Sequence, residues 1–198
     1  MPDYNPLQEF HKLFSKAGSH NDGTEINAML LTTVAPDGFP QSRMVLLKKY
    51  DWNGFTFFTN YESNKGRDIA FNNKVHLLFR WNHISTEIHI EGKAEKLPDA
   101  ISQNYFDVRP RESKLGAHAS QQSQTIASRK LLEDAFAKAE KKFENKEIPK
   151  PKNWGGYLLA PSKITVVEKG NSIEERKIYA LKKDYEWSLE TQFLMKEV

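Results

Sequence analysis

Leu7, Phe10, Leu13 and Phe14 recur at helical spacing behind Asn5-Pro6, a capping residue followed by proline at the first helical position, and Gly18 closes the run. This pattern predicts an amphipathic helix over about 5–18. From Ala28 the period shortens to two. The run AMLLTTV and a Pro36-Asp37-Gly38 turn lead into RMVLLKKYDWNGFTFFTN, Arg43 to Asn60, which reads as a β-hairpin about Asp51-Trp52-Asn53-Gly54. Four short strands are expected before residue 60. Ser63 can cap a short helix from Lys65 to Phe71 that ends at Asn72-Asn73, and an apolar run follows from Val75 to Trp81. Thr86 to Ala94 alternates, with Ile88 and Ile90 on one face and Glu87, His89 and Glu91 on the other, as in a half-exposed strand.

A helical insertion is expected over about 98–145. Pro98-Asp99 starts a helix carrying Ile101, Tyr105 and Phe106, which stops before Arg109-Pro110 because the residue preceding proline disfavours the α region. A polar segment, RPRESKLGAHASQQSQ, separates it from the longest expected helix, Thr125 to Phe143. The stripe of that helix is Ile126, Leu131, Leu132, Ala135, Phe136, Ala139 and Phe143. The mixed charges of Lys138 to Lys152 read as a solvated helix face and connector. Strand-like runs at Tyr157 to Leu159, Ile164 to Val167, Lys177 to Leu181 and Glu186 to Leu189 fill the C-terminal part, about 154–190. The pattern is mainly β, a closed or split barrel with flanking helices, read as a single domain over 1–198.

Composition narrows the classes. The chain has 198 residues, 38% of them hydrophobic and 28% charged, with four Trp, seven Tyr and twelve Phe, which is a globular composition. No apolar run approaches the roughly 18 residues that span a bilayer, and MPDYNPLQEF lacks the basic and apolar regions of a secretion signal. The absence of cysteine removes disulfides, Cys-ligated metal and a thiol nucleophile, and fits a cytoplasmic protein. A net charge of +3 with scattered Lys and Arg argues against nucleic acid as a partner. Phosphate-loop, nucleophile-elbow and His-Glu-x-x-His motifs are absent, and Trp154-Gly155-Gly156 opens a strand without the helix start that a phosphate loop needs. His83 and His89 read as exposed histidines, so no metal is expected.

What remains is a distributed set of anion-binding types. Arg43 suits bidentate phosphate contact and Lys48 a point-charge contact, but five residues apart on one strand they point to opposite faces unless a bulge intervenes. Ser63-Asn64-Lys65 lies at a helix N-terminus, and Gln122-Ser123 precedes another. Singly, each is a surface charge or a helix cap, and their spacing supports no more than a generic anion site.

Together and in this order, RMVLLKKYD, FFTNYESNKGRDIAFN, VHLLFRW, EGKAEKL, NYFDVRPRESKLGAHASQQS, PKNWGGYLL and ERKIY resemble the pyridoxamine 5'-phosphate oxidase family, from about Leu7 through Tyr179. That resemblance implies an FMN-binding split β-barrel, a homodimer in which both subunits build each flavin site. Arg43, Met44, Val45, Leu46 and Lys48 would run along FMN, with Arg43 and Lys65 on its phosphate. Phe58 and Thr59 would present backbone to the ring, and Ser63, Asn64, Glu87, Gln122, Ser123 and Arg176 match further cofactor-binding positions. Lys48, Tyr105, Arg109 and Ser113 match the quartet that grips the phosphate of a vitamin B6 substrate. The chemistry would be flavin-borne, with no catalytic protein nucleophile.

The chain also departs from the family. An Arg-x-His pair before the flavin-contacting arginine becomes Ser172 to Glu174 here, a tryptophan near the flavin becomes Val166 or Val167, a glutamine becomes Glu87, and a phosphate-loop arginine becomes Asn64. Trp187 is followed by SLETQFLMKEV in place of Arg-Leu-x-Pro. Glu87 reads either as a flavin neighbour or as part of a polar outer face. The expected function is oxidation of pyridoxamine or pyridoxine 5'-phosphate to pyridoxal 5'-phosphate. The alternatives are a related flavoprotein with another substrate, or a non-catalytic binder of FMN or pyridoxal phosphate.

Overall fold

The computed structural model describes residues 5–19, 23, 25–120, 126–183 and 186–195. Helix α1 (Pro6–Gly18) starts where expected: Asn5 Oδ1 accepts the Leu7 N–H at 3.0 Å, Pro6 takes the first position, and Leu7, Phe10, Leu13 and Ala17 are buried. Strands β1 (Ala28–Val34) and β2 (Pro40–Leu46) pair antiparallel, and β3 (Lys49–Asp51) pairs β4 (Gly54–Asn60). Helix α2 (Asn64–Phe71) is capped by Ser63, and β5 (Lys74–Trp81) pairs β6 (Thr86–Lys96).

The hairpin expected over Arg43 to Asn60 is only half correct. Its turn forms, with Asp51 Oδ1 accepting the Asn53 N–H at 2.9 Å and Gly54 at φ 135°, a backbone that favours glycine. Its first arm, however, is cut after Leu46. Leu47 N–H still reaches back to Asn27 O at 2.8 Å beside β1, whereas Lys48 N–H bonds Thr56 O at 2.9 Å beside β4. The chain therefore crosses between two edges of the sheet at Leu47-Lys48, and this crossing curls the sheet into a half-barrel. Periodicity records that a segment is extended but not which strand it pairs with.

The sheet runs β2-β1-β5-β6-β7-β4-β3, with β8 (Ile173–Leu181) pairing β7 (Trp154–Lys169) and β9 (Trp187–Met195) pairing β8. Strand β7 is continuous where two runs were expected, because Ala160-Pro161-Ser162 is a bulge and not a break. Pairing with β4 ends at Leu159 and pairing with β8 starts at Lys163, so on that side Pro161 sits in a gap where no strand asks for its missing N–H. Ser162 is the extra residue, skipped as Gly92 pairs Pro161 and Glu91 pairs Lys163. The barrel interior packs Met29, Leu31, Phe57, Leu77, Phe79, Ile88 and Ile90, and α1 closes one end of it through Phe10.

The insertion also departs from expectation. After α3 (Asp99–Asp107), the segment read as polar forms a helix, α4 (Arg111–Ala119), which buries Leu115 alone and so shows no stripe. The long helix α5 spans Arg129–Lys142 and is capped by Ser128. Of its expected stripe, Ala139 and Phe143 are buried, whereas Leu131 is 52% and Leu132 41% exposed. No described helix is long and apolar enough to cross a membrane.

Candidate functional site

Between the open edge of the half-barrel and α3–α4 lies a cavity of about 650 Å³. Strand β2 contributes Met44, Val45 and Leu46, the crossing contributes Lys48, and β4 contributes Phe58 and Thr59. Lys65 enters from the start of α2, and Tyr105, Arg109 and Ser113 come from α3, the loop after it and α4. Ten predicted site residues thus converge, although they were spread over 70 positions of sequence. The broken first arm also removes the geometric objection to Lys48, which does not share a strand with Arg43.

Lys65 is the buried cation of this cavity. It is 7% exposed, its Nζ lies 3.4 Å from Ser63 Oγ, and it has no carboxylate partner among the described residues. Burial, then the like charge of Arg43, lowers its pKa from 10.5 to about 8. Ser63 itself is committed: its hydroxyl donates to Asn60 O at 2.7 Å and accepts the Gly66 N–H at 3.3 Å as the cap of α2. Arg43 lies outside the cavity lining. Its guanidinium donates to Thr33 Oγ1 at 2.5 Å and Gln41 O at 2.8 Å and pairs with Asp68 at 3.4 Å. Asn64 is exposed at the helix start, away from the lining.

Arg109 is differently placed. Its Nη1 is buried without a hydrogen-bond partner among the described residues, while the guanidinium carbon lies 4.6 Å from the Trp154 ring centroid and 5.4 Å from that of Phe106. Burial lowers the Arg109 pKa and raises that of Tyr105. Trp154, read from sequence only as the opening of a strand, lines the cavity with Val108 and Ser120. The paired glycines after it were the available signal, as they mark a close approach to that strand.

Glu87 and Arg176 are not in the cavity. They lie in one cross-strand row, Arg80, Glu87, Val167, Arg176 and Gln192, on a face of β5–β9. Val167 belongs to this row, whereas Val166 packs in the barrel interior. Burial alone would raise the Glu87 pKa, but Lys169 at 2.6 Å, Arg80 at 3.3 Å and His89 together hold it lowered. Arg176 Nε is held by Glu174 at 2.6 Å. His89, expected to be an exposed strand histidine, is half-buried and has His76 Nε2 at 3.1 Å from its Nδ1. Gln122 and Ser123 lie outside the described residues.

The profile of the pyridoxamine 5'-phosphate oxidase family matches residues 21–143. Pyridoxine/pyridoxamine 5'-phosphate oxidase of Flavobacterium johnsoniae is 43% identical over 93% of this chain and 87% of its own length. The chain belongs to the pyridoxamine 5'-phosphate oxidase family. It therefore stands among FMN-dependent oxidoreductases with the split-barrel fold. The oxidase of the same name from a Nostoc species is 42% identical over 94% of this chain and 87% of that protein. Among solved structures, PhzG from Burkholderia lata, in complex with tetrahydrophenazine-1-carboxylic acid, superposes with a TM-score of 0.87 at 22% identity, covering 98% of this chain and 94% of PhzG. A pyridoxamine 5'-phosphate oxidase-related, FMN binding protein from Nostoc punctiforme gives 0.77 at 15% identity, covering 96% and 98%. At these identities the two structures establish a shared fold. Lys48, Tyr105, Arg109 and Ser113, expected from the resemblance as a substrate-phosphate quartet, all line the cavity.

Proposed function

We propose that this chain is an FMN-dependent oxidase that converts pyridoxamine or pyridoxine 5'-phosphate to pyridoxal 5'-phosphate, working as a cytoplasmic homodimer built from one split-barrel unit per chain. The observation that carries this reading is the convergence of Lys48, Tyr105, Arg109 and Ser113 on one cavity, with a buried Arg109 Nη1 that has no hydrogen-bond partner among the described residues. Two cations and two hydroxyls can surround a phosphate dianion with charge-assisted bonds.

The residues present also fit FMN. Lys65, a buried ammonium with no carboxylate partner among the described residues, suits a second phosphate, and Arg43 adds positive charge behind it. The backbone of Phe58 and Thr59 and the side chains of Met44 to Leu46 line the remaining wall. The chemistry that bound FMN supplies is acceptance of a hydride from the carbon bearing the substrate's amine or alcohol, with oxygen as the final acceptor. The protein's part is to hold the two phosphates, to orient the substrate and to keep the wall between them apolar.

The dimer reading draws on two features. Glu87 and Arg176 lie on a sheet face outside the chain's own cavity, where they can serve a partner's, and the first half of α5 leaves Leu131 and Leu132 about half exposed. In the decisive experiment, the purified full-length chain is supplied with FMN and assayed for flavin absorbance bands, pyridoxal 5'-phosphate and peroxide. A flavoprotein that forms neither product from either phosphate ester overturns the reading. A second reading, a family member acting on another planar substrate, is favoured by Glu174, whose carboxylate stands where the family carries a basic pair. Bleaching of the flavin without oxygen, screened across substrates, separates it from the first and from a non-catalytic binder.

A further inference from the structure

Arg109 is a cation without a counter-charge among the described residues. No hydrogen bond or ion pair to its guanidinium occurs among the described residues, so its orientation rests on the ring faces of Trp154 and Phe106. Trp154 is itself set in a group of three nearly parallel rings. Phe58 stacks on Tyr105 at 4.0 Å and 11°, and on Trp154 at 5.3 Å and 10°. The strand register explains why the rings can lie flat. Phe58 pairs Gly156 and Asn60 pairs Trp154, and a Cβ at Gly156 would come within 2.8 Å of Phe58 Cε1. At Gly155 it would collide with Tyr61 Oη. The two glycines after Trp154 are thus the space into which the neighbouring rings settle.

We propose that Trp154 is a positioning residue for the phosphate-binding end of the cavity, fixing the Arg109 guanidinium through its indole face and Tyr105 through Phe58. This rests on the reading that Arg109 and Tyr105 grip a phosphate. The physical logic lies in what a ring leaves free. A carboxylate would hold Arg109 equally well but would neutralise it and occupy its N–H donors. An indole face attracts the cation while leaving both charge and donors for the incoming anion. A ring that only filled the second core cluster, with Phe106, Leu115 and Phe143, would affect folding and leave phosphate selectivity alone.

The test uses the full-length chain loaded with FMN, with Trp154→Phe, Trp154→Leu, Arg109→Ala and the double variant Trp154→Leu/Arg109→Ala. Three quantities are read: the inhibition constant of inorganic phosphate, the KM against kcat split for pyridoxine 5'-phosphate, and FMN content. Trp154→Leu is expected to weaken inorganic phosphate and raise KM about tenfold, with Trp154→Phe intermediate and FMN content held. In the Arg109→Ala background the same change should add little, since the group it positions is gone. Trp154→Phe keeps a ring in the core and carries the test alone if the leucine variant does not fold. Phosphate constants that stay at the wild-type value in the Trp154 variants while Arg109→Ala raises them overturn the proposal. A full additional loss in the double variant overturns it too. If inorganic phosphate fails to bind even the wild type and Arg109→Ala changes nothing, the phosphate reading falls as well.

Discussion

Two aromatic clusters of this molecule use the same residue types for different ends. Around Phe10, the rings of Tyr50, Phe55 and Phe79 stand edge-on at 75°, 80° and 65°, with centroids 4.8–5.2 Å away, and Phe10 itself is fully buried. Around Phe58, the rings of Tyr105 and Trp154 lie within 11° of parallel and border a cavity, with a guanidinium on the outermost face. Edge-to-face contacts interlock rings in several directions and fill volume, which is what the closed end of a barrel requires. Parallel rings expose their outer faces, which can carry a cation or a planar molecule. The division is not complete, since Phe14 stacks on Phe10 at 29° and Phe106 stands at 70° to Trp154, but the rings that border the cavity are the parallel ones.

The largest expected effect tests the first cluster. Phe10→Ala should lower the unfolding free energy by about 3–5 kcal/mol, read by denaturant titration, because the surrounding rings cannot collapse into the space. A loss below about 1 kcal/mol would show that α1 is not a working part of the core. Arg109→Ala tests the second cluster. Stability should change little, while KM for a phosphorylated substrate rises by on the order of 100-fold and FMN content holds. Loss of FMN instead would move Arg109 to the cofactor's side of the cavity.

Lys65 sharpens the contrast further, since a buried cation with no carboxylate partner among the described residues lowers stability for the sake of binding. Lys65→Met should stabilise the FMN-free chain by about 1 kcal/mol and weaken FMN about tenfold, measured by melting and by fluorescence titration. The pH dependence follows from its lowered pKa of about 8. Below that pH the ammonium is charged in both folded and unfolded states, and its burial penalty is fully present. Between about 8 and the ordinary 10.5, the folded chain has lost the proton that the unfolded chain still holds, so stability of the FMN-free form rises with pH through that window. FMN affinity should run the other way and fall as pH climbs past about 8, because the phosphate needs the charged form. A flat affinity from pH 7 to 9 would remove Lys65 from the phosphate site.

Features set by neighbours a few residues away were legible. Asn5 and Ser63 cap their helices with their own side chains, and Ile88 and Ile90 alternate with Glu87 and His89 as their strand requires. Lys48, Tyr105, Arg109 and Ser113 were grouped by resemblance alone, and all four line one cavity. Helix α4 was missed because Leu115 is its one buried apolar side chain, and β7 was split in two because Pro161 looks like a stop until the gap between its β4 and β8 pairings is seen.

The sequence by itself determined the mainly β character, the capped helices, the Asp51 to Gly54 turn and the family, since each is written in local pattern or in ordered motifs. Tertiary structure alone decided that the chain crosses between sheet edges at Leu47-Lys48, that Arg43 turns to Asp68 and leaves Lys65 the cavity, and that Trp154 lies under Arg109. It also decided that Glu87 and Arg176 share a sheet face away from that cavity. The physical reason is the same in each case. Backbone dihedrals and caps respond to residues within a few positions, whereas pairing partner, counter-charge and ring contact are fixed by residues far away in sequence, and only the folded chain brings them within reach.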